Sequence, residues 1–434
     1  MNDIAQIPYV DATFDKQGAR TSSVTLPAGV TDVFVVSHGW NNNADDAHAL
    51  YRQLFENFVA VAQPNDLPGR RFAIVGVIWP AKEFDETVTA SGVPGTAQGA
   101  ASLRAADTQS QAALEAKIER MKRFFSEAKD RRLLDEAKAL VPDLEDKGSA
   151  RREFVNKIRS LVDRNAASKE DASDTFFKDD GAELMDRLKV PPDDLGDDVA
   201  GPGGTAALPL GTGAPARTEG GAAGLAELLS GFKAAAMNVL NFTTYFEMKA
   251  RAGTVGKNGV GPLLDELAQR VERIHLVGHS FGGRLVTAAA ASSTTDKIKS
   301  MSLLQTAFSH NGFSQSKHGF FRSVVDGQRV KGPILVTHTK NDKAVGVAYP
   351  LASRISGDTT AALGDEHDEY GGLGRNGAQQ MPAGETVVGR LLAVGGSYAF
   401  QPGKFFNLEA SQFITGHSDV KGREVAQAIR KAIA

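Results

Sequence analysis

Short, unbroken runs of apolar and β-branched residues recur along this sequence, and longer segments with helical spacing lie between them. Residues 33–37 (VFVVS) form the first run, and residues 72–79 (FAIVGVIW) form the next. A strand without polar alternation must be covered on both faces, as in a parallel sheet flanked by helices. Residues 44–62, between the two runs, carry apolar side chains at helical steps. The pattern predicts an α/β fold with a mostly parallel central sheet and helices on both faces.

The same alternation returns in the second half of the chain. Four further apolar runs predict strands at residues 274–277, 301–304, 334–337 and 405–408. A short helix is predicted from about residue 421 to the last residue. The first thirty residues differ, because turn residues at 16–18 and 27–29 predict short antiparallel strands there.

Residues 81–224 interrupt this alternation. Apolar residues there recur at three- and four-residue steps, as at Ile118, Met121 and Phe125, and we find no strand pattern. Within this region, residues 191–224 are rich in Gly, Pro, Ala and Asp, which predicts a flexible tract without a core of its own. The region is therefore interpreted as a helical insertion, either a surface bundle or a cap over a functional site.

The insertion divides the predicted core into two parts. Residues 1–80 supply its N-terminal part and residues 225–434 its C-terminal part. The second part opens with a strongly apolar helical segment, which either packs into the core or lines a pocket for an acyl group. A Gly-rich stretch at 253–261 lacks the phosphate-binding pattern, because Asn258 follows Lys257 where Ser or Thr is required. We expect it to be a loop ahead of a helix.

Charge and cysteine content narrow the possible functions. The 49 basic and 52 acidic residues nearly balance, so there is no electrostatic reason to expect nucleic acid or an acidic membrane as partner. The absence of cysteine excludes disulfides, thiolate metal sites and a cysteine nucleophile. No signal peptide is evident, and no apolar stretch reaches the roughly 20 residues of a membrane span. We expect a cytoplasmic protein without a transmembrane segment, and the oligomeric state is not indicated.

The segment Gly278-His279-Ser280-Phe281-Gly282-Gly283 matches the pattern G-x-S-x-G. It follows the predicted strand at 274–277 and precedes an apolar helical segment at 284–291. Strand, sharp turn and helix are the context in which this pattern exposes a nucleophilic serine. Glycines at the flanking positions leave room for a strained turn, and the N-terminus of the following helix favours an anion. The sequence therefore predicts Ser280 as a nucleophile.

A serine hydroxyl needs a base to remove its proton and a carboxylate to orient that base. In this arrangement the chain order is Ser, acid, His. Candidate acids after Ser280 include Asp326, Asp342, Asp358 and Asp365. We favour Asp342, because it follows the predicted strand at 334–337 after a short turn, at the carboxyl end where such sheets present functional residues.

The candidate bases are His310, His318, His338, His367 and His417. We favour His417, because a loop flanked by glycine between the last strand and the last helix can reach back to Ser280. His310 is the best rival. His338 is expected to be structural, and His367 lies in an acidic segment that is more typical of a solvated loop than of a cation site.

Two backbone N–H groups are needed to stabilise an oxyanion. Phe281, the residue after the nucleophile, is one expected donor. Trp40 is the other, in the turn after the first buried strand, where Gly39 permits a close approach. His38 is expected to brace this turn, and no metal or organic cofactor is expected.

The HGW turn at 38–40, the WP at 79–80 and the GHSFGG segment together resemble the α/β-hydrolase superfamily. Residues 246–261, 337–353 and the GHSD turn at 416–419 are similar to bacterial serine esterase- or lipase-like proteins. The resemblance covers residues 24–80 and 246–434 and leaves out the insertion.

The resemblance implies an α/β-hydrolase fold with Ser280, Asp342 and His417 as catalytic triad. Trp40 and Phe281 would be the oxyanion-hole donors. It also implies cleavage of a carboxylic ester, from a small-molecule or lipid-like acyl substrate, through an acyl-enzyme and without a cofactor. Two alternatives stay open: an amidase or peptidase with the same triad, and a non-catalytic interaction protein on a hydrolase scaffold.

Overall fold

The computed structural model describes residues 2–63, 66–82, 100–189, 231–342, 345, 352, 354–357 and 367–434. Nine strands in these ranges form one sheet, in the order β1-β2-β4-β3-β5-β6-β7-β9-β8. The strands are β1 (Asn2–Ile4), β2 (Ile7–Thr13), β3 (Asp32–Ser37), β4 (Phe72–Ile78), β5 (Arg273–His279), β6 (Ile298–Leu304), β7 (Ile334–His338), β8 (Thr386–Arg390) and β9 (Phe405–Glu409).

The sheet is mostly parallel. Only β1 runs antiparallel to its neighbour, and the seven pairings from β2 across to β8 are parallel. The predicted α/β fold with a mostly parallel sheet is confirmed. The predicted strands at the N-terminus are correct in part, because β1 and β2 are antiparallel to each other while β2 lies parallel to β4.

Helices cover both faces of the sheet. They are α1 (Ala44–Ala60), α2 (Ala100–Phe124), α3 (Ala128–Leu140), α4 (Gly148–Arg159), α5 (Ser173–Lys178), α6 (Gly181–Arg187), α7 (Gly231–Val255), α8 (Gly261–Leu267), α9 (Phe281–Ser292), α10 (Arg322–Asp326), α11 (Leu373–Asn376) and α12 (Arg423–Ala432). None of the helices in the described parts of the chain combines the length and the apolar composition that a membrane span requires.

Strand β3 shows why its apolar run is unbroken. All six of its residues are buried. Val33 and Val35 pack into a core shared with α7 and α9, whereas Phe34 and Val36 pack into a second core shared with α1 and α12. Because successive side chains point to opposite faces, a strand covered on both sides needs apolar residues at every position.

Residues 100–189, which make up nearly all of the described part of the predicted insertion, form helices and no strand. They contact the long helix α7 through buried side chains. The rings of Phe176 and Phe242 have centroids 4.9 Å apart, and Lys249 on α7 forms a buried ion pair with Asp171. The tract predicted to be flexible, 191–224, lies outside the described residues. The division into two core parts and an insertion stays a prediction.

The expected loop at 253–261 is wrong. Helix α7 continues to Val255, passes through one π-helical turn (Gly256–Val260) and leads directly into α8. The glycines permit close packing instead of a loop. A Cβ on Gly256 would lie 2.2 Å from the carbonyl oxygen of Leu285 on α9, and a Cβ on Gly259 would lie 2.5 Å from that of Gly18.

Candidate active site

Ser280 occupies the turn between β5 and α9 in a conformation that serine rarely adopts. Its φ and ψ angles are 55° and −126°. Such a backbone is strained for a residue with a Cβ and persists only where the surroundings impose it. Three hydrogen bonds do so here: Ser280 N–H donates to Leu304 O at 3.1 Å, and Ser280 O accepts from Gly283 N–H at 3.0 Å and from Ala307 N–H at 3.2 Å.

Glycine is required near Ser280 on both sides, because a side chain at either position would collide with neighbouring backbone. A Cβ on Gly278 would lie 2.5 Å from the Gly282 carbonyl oxygen, and a Cβ on Gly282 would lie 2.2 Å from that of Ser37. The G-x-S-x-G pattern therefore reflects the close approach of β5, α9 and the end of β3. The strand, sharp turn and helix are arranged as the sequence predicts.

Asp342 and His417 are in direct contact. Nδ1 of His417 lies 2.8 Å from Oδ2 of Asp342. Asp342 follows β7 and is fully buried, and its Oδ1 accepts the N–H of Val345 at 2.9 Å. With the hydrogen on Nδ1 directed at the carboxylate, the lone pair of the imidazole lies on Nε2. The acid and the base favoured from the sequence are thus brought together.

The loop that carries His417 lies against the end of β5. Nε2 of His279, the residue before Ser280, lies 2.9 Å from the carbonyl oxygen of His417, and the two imidazole centroids are 4.8 Å apart. The loop that carries His417 and the turn that carries Ser280 therefore adjoin at the carboxyl edge of the sheet, where β5, β7 and β9 end. His279 was not predicted from the sequence. It occupies an x position of the G-x-S-x-G pattern, where any residue is allowed, and its partner lies 138 residues away in the chain.

The turn after β3 lies directly over Ser280. A Cβ on Gly39 would lie 2.6 Å from the Cβ of Ser280 and 3.1 Å from its Oγ. The rings of Trp40 and Phe281 have centroids 6.1 Å apart. The N–H of Phe281 is the first of α9, where no intrahelical acceptor exists, and no described residue accepts the N–H of Trp40. Gly39 therefore lies against Ser280, and the two predicted oxyanion donors, Trp40 and Phe281, each follow one of these two residues in the chain.

His38 holds this turn in place. Its ring is fully buried, with Nδ1 2.9 Å from the Gly39 carbonyl oxygen and Nε2 accepting the Trp79 N–H at 3.4 Å. Its backbone N–H donates to the hydroxyl of Tyr51 at 2.8 Å, and that hydroxyl donates to Val77 O at 2.7 Å. Burial lowers the pKa of His38 to about 4, so the ring is neutral near pH 7. His38 thus has the bracing contacts expected from the sequence.

The other candidate residues lie elsewhere or have other contacts. His310 lines a separate cavity of about 210 Å³ together with His367, and its Nδ1 lies 3.1 Å from Nδ2 of Asn376. Asp326 ends α10, where it accepts a hydrogen bond from Arg322. Asp358 and Asp365 lie outside the described residues. In the described parts of the chain, no group of three or more His, Asp and Glu side chains is arranged to hold a metal ion.

A row of aromatic rings lies beside Ser280. The ring of Phe281 packs against Tyr245 of α7 at 5.2 Å between centroids, and Tyr245 in turn stacks with Phe242 at 6.5 Å. The apolar helix predicted from the sequence therefore contacts the residue after Ser280. It packs into the core and at the same time bounds the site.

Searches against protein-family models, curated proteins and solved structures find no match to this chain. The functional interpretation therefore depends on the geometry of the site.

Proposed function

We propose that this protein is a serine hydrolase of the α/β-hydrolase type that cleaves a carboxylic ester. The observation that carries the proposal is the strained turn at Ser280 at the same sheet edge as the Asp342–His417 pair. Strain at one serine and a buried carboxylate aimed at one imidazole are both costly for a fold that does not use them.

The chain order supports the same conclusion. The nucleophile follows β5, the acid follows β7, and the histidine follows β9, which is the order Ser, acid, His. The second oxyanion donor belongs to the turn between β3 and α1, the position expected in α/β-hydrolases.

The residues would act as follows. His417 Nε2 takes the proton of Ser280 Oγ as the oxygen attacks the ester carbonyl carbon, and Asp342 stabilises the imidazolium that forms. The N–H groups of Phe281 and Trp40 stabilise the negative oxygen of the tetrahedral intermediate. Its collapse releases the alcohol, which receives the proton from His417. A water molecule, activated by His417 in the same way, then hydrolyses the acyl-enzyme and restores Ser280.

The surroundings favour an apolar acyl group in a small-molecule or lipid-like ester. Trp40, Phe281 and Tyr245 place aromatic rings beside the nucleophile, and ligand pockets are mostly lined by such side chains. We further propose that the helical insertion acts as a cap. Oε1 of Glu170 in the insertion accepts the N–H of Phe320 at 2.6 Å, in the connection that follows β6 at the carboxyl edge.

Hydrolysis of a short p-nitrophenyl ester by wild type and Ser280→Ala tests the proposal. We expect turnover by the wild type and its loss in the variant, with an unchanged unfolding transition. Turnover by the variant at the wild-type rate would refute it. A parallel panel of anilides and peptides shows whether amide leaving groups are accepted. A wild type that turns over neither class and resists active-site probes would favour an interaction protein.

A further inference from the structure

His279 connects the nucleophile turn to the loop that carries the proposed base. It is the last residue of β5, its side chain is 5% exposed, and its Nε2 lies 2.9 Å from the carbonyl oxygen of His417. A carbonyl oxygen only accepts hydrogen bonds, so Nε2 carries the hydrogen and donates it.

We propose that His279 is a positioning residue. Its Nε2–H holds the backbone of His417, so that the His417 imidazole stays aligned with the hydroxyl of Ser280. This inference rests on the proposed function. His279 has no part in bond making or breaking, and it acts through the residue that does.

The His417 loop needs such an anchor. Its internal hydrogen bonds are local: Asp419 N–H donates to Gly416 O at 3.3 Å, and Asp419 Oδ2 accepts the hydroxyl of Thr415 at 2.9 Å. A Cβ on Gly416 would meet nothing within 4 Å, so no packing restrains the loop at that position. Asp342 holds the ring of His417, and His279 holds its main chain. The two contacts together fix the side chain and the backbone of His417.

The ring of His279 can make this bond in only one way. Nδ1 is buried and has no hydrogen-bond partner among the described residues, and a Cβ on Gly39 would lie 3.3 Å from it. A neutral imidazole carries a single hydrogen, and here only Nε2 has an acceptor for it. The tautomer is therefore set by the carbonyl oxygen of His417.

Burial keeps this donor neutral near pH 7. Burial is the largest cause that lowers the pKa of His279 to about 3. The charges of His417, His38 and Lys421 lower this pKa further, whereas the hydrogen bond to the His417 carbonyl oxygen raises it. The carboxylate of Asp342 contacts Nδ1 of His417 at 2.8 Å. When His417 becomes an imidazolium during turnover, the neighbouring ring adds no second positive charge, and the hydrogen bond persists.

The test compares three variants of the full chain on a short p-nitrophenyl ester. His279→Phe keeps an aromatic ring and removes the donor, whereas His279→Gln supplies an N–H at nearly the same reach. His417→Ala reports complete loss of the base. Because a misplacement of about 1 Å can cost about 100-fold in rate, we expect His279→Phe to lower kcat by about 10- to 100-fold with KM within about twofold.

His279→Gln should recover most of kcat. A lowered kcat with an unchanged KM, together with rescue by His279→Gln, is a readout that lost stability alone does not give. A folded His279→Phe with the kcat of the wild type would overturn the proposal.

Two controls separate the possible failures. If Ser280→Ala remains active, the proposed function itself fails. If Ser280→Ala and His417→Ala are inactive while His279→Phe is fully active, only the role of His279 fails. Should the variants not fold, ¹⁵N NMR of the wild-type imidazoles decides: a hydrogen on His279 Nε2 between pH 5 and 8 supports the proposal, and a hydrogen on Nδ1 overturns it.

Discussion

Asp342 and His417, 75 residues apart in the chain, are joined by a 2.8 Å contact between Oδ2 and Nδ1, and the carboxylate is fully buried. The contact fixes the ring orientation and the tautomer of the imidazole. Because Asp342 follows β7 and His417 follows β9, adjacent parallel strands bring the two side chains to one edge of the sheet.

Replacing Asp342 with Asn tests what this contact does. The amide preserves size but offers an N–H where Nδ1–H needs an acceptor, so the ring adopts the wrong tautomer. We expect ester hydrolysis to fall by about 10³- to 10⁴-fold. The measurement is kcat for a p-nitrophenyl ester, with circular dichroism to show that the fold is kept. A loss below about tenfold would mean that Asp342 does not orient the base.

Gly39→Ala tests how closely the turn after β3 approaches Ser280, the proposed nucleophile. The added methyl group would lie 2.6 Å from the Cβ of Ser280, so either the turn or the serine must move. Because one oxyanion donor is worth about 10²- to 10³-fold in kcat, we expect a loss of that order. Gly389→Ala on β8 is the matched control, since its Cβ would meet only Leu408, at 3.6 Å. Equal activity of both variants would contradict the placement of the turn.

The buried histidines predict a decline of stability at acidic pH. An imidazole in the unfolded chain has a pKa of about 6.5, whereas burial lowers the pKa of His279 to about 3 in the fold. Above pH 6.5 the residue is neutral in both states. Below it, the unfolded chain binds a proton that the folded protein does not, so the free energy of unfolding falls until about pH 3.

This decline is measurable with His279→Gln, in which the side chain is neutral in both states. Between pH 7 and pH 5 the wild type should lose about 2 kcal/mol more of its unfolding free energy than the variant. Urea denaturation of the wild type and the variant at the two pH values gives the loss of unfolding free energy for each protein. Parallel declines in wild type and variant would show that His279 is not neutralised by burial.

The ion pair between Lys249 and Asp171 is expected to stabilise the contact between the insertion and α7. Both side chains are nearly inaccessible, at 6% and 3% exposure. Removing one partner leaves a buried charge, so Lys249→Met should lower the unfolding free energy by about 3–5 kcal/mol, and adding Asp171→Leu should recover much of it. Lys147→Met, which removes an exposed pair with Asp143, should change it by less than about 1 kcal/mol. A similar effect of both lysine substitutions would contradict this role.

The sheet and the edge that carries the site could be predicted because their signals are local. Unbroken apolar runs gave the strands, and the glycines around Ser280 gave the turn. Strand β8 was not predicted, because it lies at the edge of the sheet and Val387 and Val388 are both exposed there. Its sequence therefore shows neither alternating apolar and polar residues nor an unbroken apolar run.

Contacts between distant segments could not be predicted in the same way. The role of Gly256 depends on the approach of α9, and that of His279 depends on the carbonyl oxygen of His417. Neither partner is marked in the sequence near the residue concerned. Asp342 and His417 could be anticipated because each follows a predicted strand, and parallel strands present their carboxyl ends at one edge.

Labelling with a fluorophosphonate probe, followed by mass mapping of the modified peptide, shows whether Ser280 is an activated nucleophile. Such a probe reacts with a serine only when a base has removed its proton. We expect stoichiometric modification of Ser280 in the wild type, no modification in Ser280→Ala and strongly reduced modification in His417→Ala. A folded wild-type protein that is not labelled, or one labelled at another residue, would rule out Ser280 as the nucleophile.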